Sequence, residues 1–209
     1  MPGQYPVREV KGAEMEIRQS NVKILSECGA LVAVASVLSL ITLFSMPLGG
    51  SVTPFATLPI IIISLRHGAK WGVASALTFS LVQLLLGLNN VAAVPVRDFI
   101  SLSLCAALDY LLAYTVIGFT GTIARGFRDG RAGIVVGVLA TGAGRLVCSF
   151  LSGIIVWGSY TPDGWNIAVY SLAYNASWCL PDVALTLVGC LALSRIRALN
   201  ILPNKAVYH

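Results

Sequence analysis

Four ionisable side chains, Glu27, Asp109, Arg145 and Asp182, stand inside long apolar stretches of this 209-residue chain. A charge in hydrocarbon is costly unless it is paired or reached by water, so each is a candidate for function. Glu27 lies within a turn of the end of its stretch and is expected to snorkel to the interface. Asp109 lies ten residues beyond Phe99, ~15 Å along a helix axis, and Arg145 stands at similar depth before Trp157. Arg145 can pair internally with either Asp109 or Asp182. The acid left over would face a cationic or hydrogen-bonding ligand. A second concentration of chemistry is GIIVWGSYTPDGWNIAVYSLAYN, residues 153–175. It gathers Trp157, Tyr160, Trp165, Tyr170 and Tyr174 and ends on Asn175, whose carboxamide is both donor and acceptor. Aromatic residues near a membrane boundary commonly serve as interfacial anchors, and a carboxamide among them argues for more.

The elements that position these groups follow from composition. Hydrophobic residues make up 56% of the chain and charged residues 11%, with a mean hydropathy of +0.81. A soluble domain carries about a quarter charged residues, so this is a polytopic membrane protein. Apolar runs predict an all-α fold of six spans near 24–44, 54–65, 70–88, 99–123, 132–157 and 175–194. The second is too short for an upright crossing and carries Pro59, so it must be tilted, extended or sunk into the bundle.

Charge sets the expected orientation. Twelve of the 14 Lys and Arg fall in the N-terminal tail, the 2–3 loop, the 4–5 loop and the C-terminal tail. The 1–2 and 5–6 loops hold none, and the 3–4 loop holds only Arg97. Both termini are therefore expected in the cytoplasm of a cell-membrane protein. Residues 1–23 form a polar tail, 24–194 the membrane domain and 195–209 a second tail. The N-terminal residues show no cleavable signal pattern.

Other features exclude whole classes of chemistry. No GxxxxGK[ST], HExxH or GxSxG occurs, which leaves ATPase, zinc protease and α/β-hydrolase readings without residues. The five cysteines all sit in apolar segments with no CxxC and read as small hydrophobes. With two histidines in the chain, a metal site has little to draw on. Gly29-x-x-x-Ala33 is a small-xxx-small pattern that lets another helix approach closely. A membrane enzyme using Asp109, Arg145 and Asp182 is an alternative, but no nucleophile or metal cluster accompanies them.

Three motifs in order carry a resemblance. They are Pro59-Ile-Ile-Ile-Ile-Ser-Leu-Arg66-His-Gly68; Leu108-Asp-Tyr-Leu-Leu-Ala113 followed by Gly118; and Gly153-Ile-Ile-Val-Trp157, Asp163-Gly-Trp165 and Ala168-Val-Tyr170-Ser-Leu-Ala-Tyr-Asn175-Ala. Together they resemble the thiamine-specific S components of energy-coupling factor (ECF) transporters, the ThiT family, from about residue 24 to 194.

That resemblance implies a six-helix subunit that captures thiamine from outside and hydrolyses nothing itself. A transmembrane coupling subunit and two ATP-binding cassette subunits would supply the energy, so no cofactor is expected in this chain. It implies that Asp109, Tyr170 and Asn175 hold an aminopyrimidine, that Trp157 packs on the ligand rings, and that Tyr110 stands beside the acid. It places a contact with the coupling subunit on Gly29 and Ala33. Departures accompany the match. Asp109 stands for a family glutamate, Gly50 for a loop tryptophan, Ser149 for a histidine and Phe99 for a binding-site tyrosine, while Asp182 has no acidic counterpart. A thiamine precursor, or another vitamin with an aminopyrimidine-like edge, is the rival ligand.

Overall fold

The computed structural model describes residues 7–196, with side chains from residue 19 onward. Arg197, Lys205 and most of the expected C-terminal tail lie outside the described residues. Helix α1 (Val7–Ser39) runs unbroken from within the expected polar tail through the first span, and it ends before residue 44. Among the described residues, five helices are long and apolar enough to cross a bilayer: the Gln19–Ser39 part of α1, then Ala69–Leu86, Phe99–Arg125, Gly130–Ile155 and Ile167–Leu193. The remaining expected span is α2 (Leu58–His67), with ten residues. Pro59 sits in its first turn, where a missing N–H leaves no helical bond unmade. Gly68, at φ 87°, ends α2 and starts α3 (Ala69–Leu86). Ile60, Ile63 and Leu65 of α2 are fully buried, so the short span is sunk into the bundle.

A short α4 (Leu88–Ala92) leads to the fourth span. That span is irregular inside: α5 (Phe99–Cys105), a π-helical turn over Ala106–Leu112, α6 (Ala113–Thr115), a 3₁₀ turn at Val116–Phe119, and α7 (Thr120–Arg125). Asp98 caps α5 by accepting from the Ser101 amide at 2.8 Å. Hydrogen bonding from Ser101 holds this exposed carboxyl below its usual pKa. The 3₁₀ turn crosses α3 at Gly118 and Gly72, where a Cβ on either would strike the other's backbone. Such contacts let membrane helices touch through their backbones. Ser64 reinforces the crossing by donating to the Gly118 carbonyl at 2.5 Å and accepting from the Gly121 amide at 2.8 Å.

Helix α8 (Gly130–Ile155) is followed by α9 (Ile167–Leu193). The Asn166 side chain caps α9 by accepting from the amides of Ala168 and Val169. The last span thus begins about two turns before the expected residue 175, and Tyr170 and Asn175 are helical rather than part of a loop. Large apolar side chains such as Leu25, Val37, Leu85, Ile155 and Val188 point outward, as lipid-facing surfaces require.

Glu27 stays partly exposed near the end of its stretch, and it is paired as well. It pairs with Arg66, and His67 Nε2 lies 3.0 Å from its other oxygen. At the far end of the bundle, β1 (Phe44–Ser45) and β2 (Ser51–Val52) form a small antiparallel hairpin. Its turn uses Gly49 and Gly50 at φ 95° and 84°, a region that glycine enters at little cost.

Candidate functional site: a ligand cavity beneath the hairpin

A cavity of about 380 Å³ opens under the hairpin turn, among α3, the fourth span, α8 and α9. Small-molecule sites run roughly 300–1,000 Å³. Asp109, Tyr110, Arg145, Ser149, Trp157, Tyr170 and Asn175 all line it. These residues come from three separate spans and a connecting loop, which the fold brings into one chamber.

Asp109 and Tyr110 ride on the π-helical turn. Such turns widen a helix locally and recur at functional sites, because they re-aim side chains. The Asp109 carboxylate is held by its Oδ2 atom alone. That oxygen accepts from Ser152 Oγ at 2.6 Å, Trp157 Nε1 at 3.0 Å and Cys105 Sγ at 3.5 Å. Oδ1 accepts from none of the described residues. A carboxylate anchored on one oxygen keeps its rotamer and offers the other to a ligand donor. The same bond orients Trp157, whose ring also packs against Tyr160 with centroids 6.0 Å apart. Tyr110 donates to the Gly87 carbonyl at 3.2 Å, which fixes its ring against the start of α4.

Asn175 is buried, and its amide group is already engaged. Nδ2 donates to the Ser171 carbonyl at 2.9 Å and to the Ser149 carbonyl at 3.2 Å. The expected two-sided carboxamide therefore presents an acceptor, Oδ1, to the cavity. Ser149 contributes its backbone carbonyl to this arrangement. Tyr170 lies one helical turn before Tyr174, with ring centroids 5.9 Å apart, and meets Trp165 edge-on. The chamber thus combines two free acceptor oxygens with several aromatic faces.

Arg145 finds its acid in Asp182, not Asp109. Nη1 donates to Asp182 Oδ2 at 2.6 Å, and both side chains are almost wholly buried. Nη2 donates to Tyr114 Oη at 3.1 Å. The guanidinium lies 4.5 Å from the Tyr114 ring centroid and 4.9 Å from that of Trp178, close enough for cation–π attraction. Asp182 itself does not line the cavity.

One residue expected at the ligand falls elsewhere. Phe99 is 85% exposed and lies off the cavity. It is the first residue of α5, just past the Asp98 cap, on the outward face. Gly29 and Ala33 lie on an exposed face of α1, and a Cβ at Gly29 would meet no atom within 4 Å. That face takes no part in internal packing.

Sequence reasoning passed over Tyr114 and Trp178 and named Tyr174 without giving it a role, yet all three line the cavity. Tyr174 Oη accepts from the Leu48 amide at 2.9 Å and donates to the Gly49 carbonyl at 3.0 Å. The usable signal was periodicity. Tyr170, Tyr174 and Trp178 recur every four residues, one face of a helix that starts at residue 167.

Comparison with known proteins agrees with this architecture. Residues 25–201 match the family described as "Thiamine transporter protein (Thia_YuaJ)". Thiamine transporter ThiT of Bacillus subtilis (strain 168) is 32% identical over 179 residues, covering 80% of this chain and 88% of the relative. Thiamine transporter ThiT of Lacticaseibacillus paracasei is 25% identical over 147 residues, covering 64% and 68%. In fold, the chain is similar to the solved structure of ThiT from Listeria monocytogenes, with a TM-score of 0.69 at 24% identity over 86% of this chain and 98% of that one. With its motifs, its bundle and its aromatic chamber in place, this multi-pass membrane protein belongs to the thiamine transporter protein family.

Proposed function

We propose that the chain is the substrate-capturing S component of an ECF importer, taking thiamine from outside a prokaryotic cell. One observation carries the reading: Asp109 Oδ1 and Asn175 Oδ1 stand unengaged in an aromatic chamber. An aminopyrimidine brings N–H donors to such acceptors, and a carboxylate strengthens the bond. A thiazolium cation suits the electron-rich faces of Tyr170, Tyr174 and Trp157. The names of the Bacillus and Lacticaseibacillus relatives point to the same ligand.

On this reading the chain needs no cofactor of its own. A coupling transmembrane subunit would dock on the Gly29–Ala33 face, and two ATP-binding cassette subunits would hydrolyse ATP. The termini and the 126–129 loop would lie in the cytoplasm, with the hairpin outside. The membrane-enzyme alternative loses two of its three residues, because Arg145 and Asp182 neutralise each other in a buried pair.

The test is to purify the chain and identify by mass spectrometry what remains bound, then titrate thiamine while following tryptophan fluorescence. Thiamine is expected to co-purify and to quench Trp157. If thiamine, its phosphates and its pyrimidine precursor all fail to bind, the reading is overturned.

A further inference from the structure

From Tyr174 to Thr186, every fourth residue along one face of α9 meets a point further along the segment that carries the hairpin turn into α2. Tyr174 Oη bonds both the Leu48 amide and the Gly49 carbonyl. The Trp178 indole lies so close to Gly50 that any side chain at Gly50 would overlap it. Asp182 Oδ1 accepts from the Thr53 amide at 3.2 Å, with the Thr53 hydroxyl beside it at 3.5 Å. Thr186 Oγ1 lies 3.0 Å from Thr57 Oγ1. Four rungs over twelve residues of helix run ~18 Å along its axis. Residues 48–57 are thus a strap laid parallel to α9, and the strap's tip, Leu48–Ser51, forms a wall of the cavity.

One rung differs from the others. Asp182 is 1% exposed and uses its two oxygens in two directions. Oδ1 holds the strap at Thr53, and Oδ2 holds Arg145 of the cavity wall at 2.6 Å. We propose that Asp182 is a positioning residue for ligand retention, tying the strap to α9 so that the bound molecule leaves only when the Thr53 rung is released. The inference rests on the thiamine-capture reading and adds a residue to it. Removing the acceptor strands a buried N–H, which weakens the closed strap while leaving the chamber's Asp109 and Asn175 untouched.

The experiment compares two double variants that share one change in the cavity wall. Arg145→Met with Asp182→Leu removes both the charge pair and the tie. Arg145→Met with Asp182→Asn removes the charge pair but keeps a carbonyl oxygen for Thr53. Release of labelled thiamine is followed after dilution into unlabelled ligand. The Leu double is expected to release thiamine about tenfold faster than the Asn double, with association rates within about twofold. Equal release rates at equal occupancy overturn the proposal, because a merely structural role would move melting temperature and not dissociation.

Hydrogen exchange on the unmutated protein provides a reading that does not depend on the variants folding. The Thr53 amide is expected to exchange at least about tenfold more slowly with thiamine bound than without it. An amide that exchanges freely in both states also overturns the proposal. If the unmutated protein binds no thiamine, it is the functional reading that fails.

Discussion

Arg145 of α8 and Asp182 of α9 form a 2.6 Å ion pair with side chains 5% and 2% exposed. Charges so enclosed exact a desolvation penalty that their attraction only partly offsets, and such a pair is weak evidence of stability. Its value here is positional. The guanidinium is wedged between the Tyr114 and Trp178 rings, and the carboxylate is shared with Thr53 of the strap. Removing one partner is a different matter from removing both.

Asp182→Leu alone therefore strands a buried guanidinium. It is expected to cost about 3–5 kcal/mol of stability, seen as a large drop in the detergent melting temperature. The Arg145→Met, Asp182→Leu pair should recover most of that loss. If the single and double variants melt together, the ion pair is not the reason these residues tolerate the membrane interior.

Asp109 lends itself to a binding test. Asp109→Asn keeps the shape but replaces one acceptor oxygen with a donor, and it loses the charge-assisted bond. Thiamine affinity should fall by about 1–3 kcal/mol, measured by titration of intrinsic fluorescence. Asp109→Glu lengthens the arm by one methylene and should bind within a few-fold of the parent. An Asn variant that binds as well as the parent would remove Asp109 from the site.

The strongest sequence signals were the ones that physics makes independent of detail. Six apolar segments, a short one marked by Pro59, and acids stranded in hydrocarbon follow from composition alone. Asp109, Trp157, Tyr170 and Asn175 do meet in one chamber. What failed was facing and boundary. Hydropathy placed the last span at residue 175, because its first turns hold Tyr170 and Tyr174, which score poorly as apolar residues. The better marker was Asn166, a capping side chain ahead of a helical run. With that start, Tyr174 and Trp178 fall on the same stripe as Tyr170. Phe99 was misplaced because its position was inferred by likeness, and nothing in its neighbours reveals which way the first residue of α5 points. No sequence pattern announced the π-helical turn that sets the aim of Asp109.

Orientation is open to direct labelling. Arg128 and Ser159 are exposed at opposite ends of the bundle. In a variant with the five native cysteines replaced, Arg128→Cys should react with an impermeant maleimide only from the cytoplasmic side. Ser159→Cys should react only from outside. The reverse pattern would put the cavity mouth in the cytoplasm and end the uptake reading.

The Gly29–Ala33 face permits transport to be separated from binding. Both residues are exposed, and the space above Gly29 is empty within 4 Å. Replacing each with Leu therefore threatens no internal contact, and neither residue lines the cavity. Leucine at both positions would nevertheless hold a partner helix away, since close approach depends on small residues. Thiamine affinity in detergent should stay within about twofold of the parent. Vitamin uptake by cells that depend on the transporter should fall to background. If affinity and uptake fall together, the face is needed for the fold itself; if both survive, the coupling subunit docks elsewhere.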